Sequence, residues 1–261
     1  MSALALVLVQ ITYPLSAGVT RDRITVAVVV LTVVTALTHA ATTRGLRWAA
    51  GFFVIVSGLG LASEIVGTGT GFPFGAYSYA LDRLGPAVAE VPVVVPLAWT
   101  GGLYPIWIVA SLLTTAPVSR GALFALGAVG WDLFLDPQMV TDGQWTWAVT
   151  DAGLPGLPQI PYTNYLGWAL VAGLMAVLLT VLDRVLPPAR DPSVAVPVAV
   201  FGWTWLGSAL AHAVFLGLPA SAIWGFCGLG VLGFPLLMRA RSGLAPFSRA
   251  EFDAKSPDRR G

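Results

Sequence analysis

The sequence predicts an all-α protein: a polytopic transmembrane helical bundle of about eight spans, with seven possible, capped by two aromatic-rich loops. Three observations carry that prediction. Hydrophobic residues make up 56% of the 261 and charged residues 10%, whereas soluble domains carry about 25% charged residues. The apolar residues fall in continuous runs near the ~20 residues that a helix needs to cross the hydrocarbon layer, not in the alternating ~10-residue segments of an outer-membrane barrel. Lys and Arg gather between alternate runs, the bias that sets membrane topology.

The runs lie at roughly 2–19, 24–42, 48–66, 91–115, 120–136, 164–183, 196–216 and 219–238. The first is the weakest, because Pro14, Ser16 and Gly18 crowd its end. It does not read as a signal peptide, since no Lys or Arg precedes it. Eight spans with a cytoplasmic C-terminus put Arg44, Arg47, Arg120, Arg184 and Arg190 inside with the C-terminal basic residues. Only Arg21, Arg23 and Arg83 then lie outside, eleven against three. This predicts a multi-pass cell-membrane protein with a transmembrane domain over 1–241. The polar stretch 242–261, ending Ser-Pro-Asp-Arg-Arg-Gly, is expected to be a disordered cytoplasmic tail.

Two connections are long. Gly67 to Glu90 is rich in Gly, Pro and Tyr, and Pro137 to Thr163 contains neither Lys nor Arg. Loops of this length are functional or disordered; Phe72, Phe74, Tyr77, Tyr79, Trp145, Trp147, Tyr162 and Tyr165 favour ordered caps. The single Cys227 lies in an apolar run. That excludes a disulfide and a cysteine-built metal site, and predicts a small core residue. Basic residues never cluster with exposed aromatics, so nucleic acid is excluded as a partner; the lipid bilayer is the expected one.

Chemistry is marked by acids where acids are costly. The run Gly121-Ala-Leu-Phe-Ala-Leu-Gly-Ala-Val-Gly-Trp131-Asp132-Leu-Phe-Leu-Asp136-Pro137 is apolar apart from two carboxylates one helical turn apart. Each ionised carboxylate in hydrocarbon costs roughly 2.5–3.5 kcal/mol. Alternating span direction brings Glu64, Asp132, Asp136, Asn164 and His212 to one end of the bundle, beneath both loops. His39 falls at the opposite end. Blander readings stand beside these: Asp136 before Pro137 finishes a turn at a helix end, His212 is a satisfied polar residue between helices, and Trp145 and Trp147 anchor the interface. Gly67-x-Gly69-x-Gly71 has no βαβ context for a dinucleotide. Asp132-x-x-x-Asp136 has the spacing of a metal clamp, but Arg83 alone is available there to meet a diphosphate.

Several motifs occur in order: Glu64-Ile-Val-Gly67, Gly71-x-Pro73-Phe74-Gly75-x-Tyr77-x-Tyr79, Val91-Pro92-Val-Val-Val-Pro96-Leu-Ala-Trp99, Trp131-Asp132-Leu-Phe-Leu-Asp136-Pro137, Gly143-x-Trp145-x-Trp147 and Pro161-Tyr162-x-Asn164-Tyr165-x-Gly167-Trp168. Together they resemble the carotenoid-biosynthesis membrane proteins that include CruF-type carotenoid 1,2-hydratases and bisanhydrobacterioruberin hydratase. The resemblance covers roughly residues 55–185. It implies hydration of the terminal double bond of an acyclic carotenoid ψ-end group to a tertiary alcohol, with no cofactor and no metal, and other carotenoid-biosynthesis enzymes as possible partners.

That chemistry suits the residues. Protonation at C-2 leaves a tertiary cation at C-1 for water to capture. Burial disfavours the charged form of a carboxyl, and two neighbouring carboxyls can share one proton. The expected site therefore has Asp132 or Glu64 as proton donor, Asp136 and Asn164 binding or orienting water, and Trp131, Trp145, Trp147, Tyr77 and Tyr79 lining the cation, with His212 nearby. Two rivals share these features. One is cyclisation of the same end group; the other is a transporter or carotenoid-binding scaffold that transforms nothing.

Overall fold

The computed structural model describes residues 1–187 and 193–242. Arg190 and the expected tail beyond Ser242 lie outside them. The helices are α1 (Ser2–Thr12), α2 (Gly18–Arg44), α3 (Leu46–Thr70), α4 (Val94–Leu113), α5 (Pro117–Thr141), α6 (Tyr162–Val185), α7 (Ala195–Leu210), continued by a π-helical segment Ala211–Phe215, and α8 (Pro219–Arg241). Among the described residues, seven helices are long and apolar enough to cross a membrane. The protein is thus a multi-pass membrane bundle.

The first expected span is corrected. Its apolar run breaks at Pro14, and α1 has only 11 residues, about 16 Å at the helical rise and half of the ~30 Å hydrocarbon layer. The second helix starts at Gly18 and takes Arg21 and Arg23 into its first two turns.

Helix α4 is the central post, touching α2, α3, α5, α7 and α8. Trp99, Leu103, Tyr104 and Trp107 are buried along its length. The tightest crossing joins α5 to α8 through glycines. A Cβ at Gly130 would sit 2.6 Å from the carbonyl carbon of Gly228, the close backbone approach that membrane helices gain from small residues. At the end away from the loops, Arg44 and Arg120 both pair with Asp183, and the two guanidinium groups lie 4.2 and 4.4 Å over Trp48 and Trp107.

Two further expectations change. Helix α5 does not stop before Pro137 but runs on to Thr141, so Asp136 lies inside the helix and not at its end. Proline removes one amide donor and frees the carbonyl four residues back. Here that carbonyl is Leu133, and the Ser221 hydroxyl of α8 donates to it at 2.6 Å. Cys227 is exposed on the outer surface of the bundle, not in the core: a run apolar on every side carries no signal of which face turns inward.

The two long loops are ordered by each other. Helix α3 ends at Gly71, whose left-handed φ of 78° suits a glycine C-cap. Strand β1 (Tyr77–Tyr79) then pairs antiparallel with β4 (Trp145–Trp147), setting Tyr77 opposite Trp147 and Tyr79 opposite Trp145. Short hairpins, β2 (Ala87–Val88) with β3 (Val91–Pro92) and β5 (Gly153–Leu154) with β6 (Leu157–Pro161), complete the lid. Ion pairs tie it to α2: Arg83 holds Asp22 at 2.7 Å and Arg21 holds Asp142 at 2.5 Å.

Candidate functional site

A cavity of about 520 Å³ lies beneath the lid. Three acids meet there in two separate groups. The first is the pair on α5, one turn apart. Asp132 is 0% and Asp136 3% exposed. The Asn164 side-chain amide, from the first turn of α6, donates to both, at 2.8 Å to Asp132 Oδ2 and 2.5 Å to Asp136 Oδ2. Trp145 Nε1–H donates to the other Asp136 oxygen at 3.2 Å. The second Asp132 oxygen, Oδ1, has no hydrogen-bond partner among the described residues. Asp136 and Asn164 form part of the cavity wall, whereas Asp132 lies behind it.

The second group is Glu64, which receives donors only. The hydroxyls of Tyr77 and Tyr79 both donate to its Oε2, the latter at 2.7 Å, and Trp99 Nε1–H donates to Oε1 at 3.1 Å. Burial first, and then the facing Glu64 carboxylate, hold both tyrosine hydroxyls well above their ordinary pKa, so they remain protonated donors. Among the described residues, no Lys or Arg side chain lines the cavity.

Near the acids the wall carries several aromatic rings. Trp99 and Trp168 stack at 3.8 Å between ring centres, with planes 4° apart, and Trp131 meets Trp168 edge-on at 5.7 Å. Trp145 and Trp147 are buried in the wall; their place is fixed by the β1–β4 ladder and by a Trp147 hydrogen bond to the Phe74 carbonyl at 3.0 Å. The reading of these two as interface anchors therefore gives way to one as pocket wall. Such faces can stabilise a cation by about 0.5–2 kcal/mol each.

His212 sits in the π segment and also reaches the cavity. Its Nδ1 meets Ser221 Oγ at 2.8 Å and its Nε2 faces the Gln138 amide at 3.2 Å. Because Ser221 gives its proton to Leu133, it accepts from His212, so Nδ1 carries the hydrogen, and Nε2 accepts from Gln138 once that amide is turned to present its NH₂. This is the satisfied polar residue between helices that the blander reading describes. His39 lies away from the site, 2.7 Å from the Tyr104 hydroxyl.

Sequence reasoning missed Trp99, Trp168 and Gln138, although Trp99 and Trp168 stood in motifs already quoted. It counted Arg83 alone as available at this end, but Arg21 is there too; Arg21 is paired with Asp142 and Arg83 with Asp22 of α2. Among the described residues, no group of three or more His, Cys, Asp and Glu side chains is arranged to hold a metal ion. The site thus offers two carboxyls one turn apart, bridged by Asn164, and a third, Glu64, held by three donors, on the wall of a largely apolar chamber.

The profile of a family described as carotenoid biosynthesis protein matches residues 24–234 of this chain. Bisanhydrobacterioruberin hydratase of Haloarcula japonica is 34% identical over 125 residues, 44% of this chain and 39% of that protein. The match therefore spans well under half of that relative's length. No solved structure matches the chain.

Proposed function

The chain belongs to the carotenoid biosynthesis protein family, and from that premise we propose that it is a hydratase of acyclic carotenoids. It adds water across the terminal 1,2 double bond of a ψ-end group. The observation that carries this reading is the meeting, at one cavity, of an acid dyad bridged by Asn164 with a Glu64 carboxylate that has three donors and, among the described residues, no cationic partner.

In this reading the aspartate pair shares one proton, and Asp136, the member on the wall, hands it to C-2. The double-bond electrons form the new C–H bond, leaving a tertiary cation at C-1. Glu64 and the faces of Trp131, Trp145 and Trp147 oppose that charge as it develops, which is the form of stabilisation that lowers a barrier. Water attacks C-1, and its surplus proton returns to the aspartate pair. The net change is one water gained. Asp132 holds the second site for the shared proton, and Asn164 fixes the spacing of the two carboxyls.

Charge distribution supports a cytoplasmic C-terminus: with seven spans, Arg44, Arg47, Arg120, Arg184, Arg239 and Arg241 share its side, and Arg21, Arg23 and Arg83 share the lid side. The test is co-expression with enzymes that make an acyclic ψ-end carotenoid, followed by liquid chromatography and mass spectrometry. Products heavier by one or two waters support hydration. A product of unchanged mass and altered retention makes the chain a cyclase instead, and unaltered pigment with verified membrane expression, on short and long precursors alike, favours a transporter or scaffold.

A further inference from the structure

The cavity does not end at the acids. Its wall continues from Glu64 and Asp136 down to the gap between α1 and α7. Four residues that line it there are also exposed on the outer surface: Ile11 at 45%, Leu15 at 69%, Leu210 at 59% and Phe215 at 54%. All four are apolar, which suits an opening toward hydrocarbon and not toward water. Above it, the lid is tied down by the β1–β4 ladder and two ion pairs. Deeper, roughly three helical turns below Phe215, Trp203 Nε1–H of α7 donates to Gln10 Oε1 of α1 at 2.8 Å. This hydrogen bond crosses the gap.

We propose that substrate passes sideways from the bilayer into the cavity between α1 and α7, and that the Gln10–Trp203 bridge is the latch of this portal. The inference rests on the reading of the occupant as a long acyclic polyene. Such a molecule partitions into hydrocarbon, and the part of it remote from the reacting end can remain in the lipid while the end group reaches the acids. The latch suits such traffic. Helix α1 is too short to span and packs mainly on α2, so its contact with α7 can open without unthreading a transmembrane helix. The π segment Ala211–Phe215 borders the opening, a geometry often found at functional positions.

The test uses the full chain in liposomes carrying an acyclic polyene, with Gln10→Cys and Trp203→Cys combined on a Cys227→Ala background. Two quantities are read: polyene retained by the repurified protein, from its visible absorbance, and water added to it. The expected result is that oxidation to the disulfide lowers polyene uptake at least tenfold and that reduction restores it. Equal uptake in the oxidised and reduced forms overturns the portal, as does a reduced protein that retains no polyene. A reduced protein that takes up polyene but adds no water leaves the portal standing and sinks the hydratase reading. Should the two cysteines not cross-link, Ala211→Trp narrows the same opening; uptake at the wild-type level in a variant that still elutes as a single species overturns the proposal.

Discussion

Replacing Glu64 by glutamine removes one negative charge while leaving the side chain's shape. A cation about 6 Å from that carboxylate, at an effective dielectric constant of about 20, gains roughly 3 kcal/mol from it. Losing this amount slows the protonation step about 100-fold. The fold also suffers, because one oxygen becomes a donor. With the amide oxygen turned to Tyr77 and Tyr79, its NH₂ meets the Trp99 N–H, and a buried donor left without an acceptor costs about 1–3 kcal/mol. The assay is the initial rate of water addition in membranes holding equal amounts of folded protein, with thermal stability measured separately. A Glu64→Gln protein working at the wild-type rate refutes the electrostatic role. One that gives no product even with a thousandfold more protein moves the transferred proton to Glu64 itself.

Further predictions concern the acid pair and the helices that carry it. Asp136→Asn and Asp132→Asn are each expected to slow water addition by at least ~10²-fold while leaving membrane insertion intact, the usual scale for a lost general acid; full activity in either variant removes that residue from the mechanism. Ser221→Ala strands the Leu133 carbonyl and the His212 N–H, costing about 1–3 kcal/mol, or a Tm lower by several degrees in detergent. An unchanged Tm would mean that Ser221 does not compensate for Pro137. Gly130→Leu forces α5 away from the Gly228 backbone, so overpacking of about 1–3 kcal/mol or more should lower the yield of monodisperse protein; normal yield and stability would contradict the tight crossing.

Much of this was legible in the chain. Runs of near-spanning length locate seven helices. Counting their alternation brings Glu64, Asp132, Asp136, Asn164 and His212 to one end without any knowledge of packing. What stayed hidden depends on contacts between distant segments. Pro137 reads as a stop because nothing nearby shows that Ser221, 88 residues from Leu133, will satisfy the freed carbonyl. The clamp on Glu64 was equally invisible: Tyr77 and Tyr79 are placed by a ladder whose other strand is 145–147, a register that local sequence does not encode. Which aspartate meets the cavity turns on the rotation of α5, and an apolar membrane helix offers little pattern from which to read it. Trp99 and Trp168 looked like two more tryptophans until their rings were seen to stack.

The amide of Asn164 has a consequence for how the protein is made. Chains are synthesised from the N-terminus, and α5 precedes α6. Asp132 and Asp136 therefore enter the translocation machinery before the residue that bridges them has been threaded through. During that interval two acids must cross an apolar environment without their donor, and carrying protons is the state that makes the passage inexpensive. In the proposed mechanism, the group that delivers the proton is thus loaded during biogenesis, and α6 docks onto a helix whose carboxyls are already neutral. Slowing synthesis between α5 and α6 would expose this stage as a membrane-inserted intermediate, open to carboxyl-directed reagents that the finished protein keeps out.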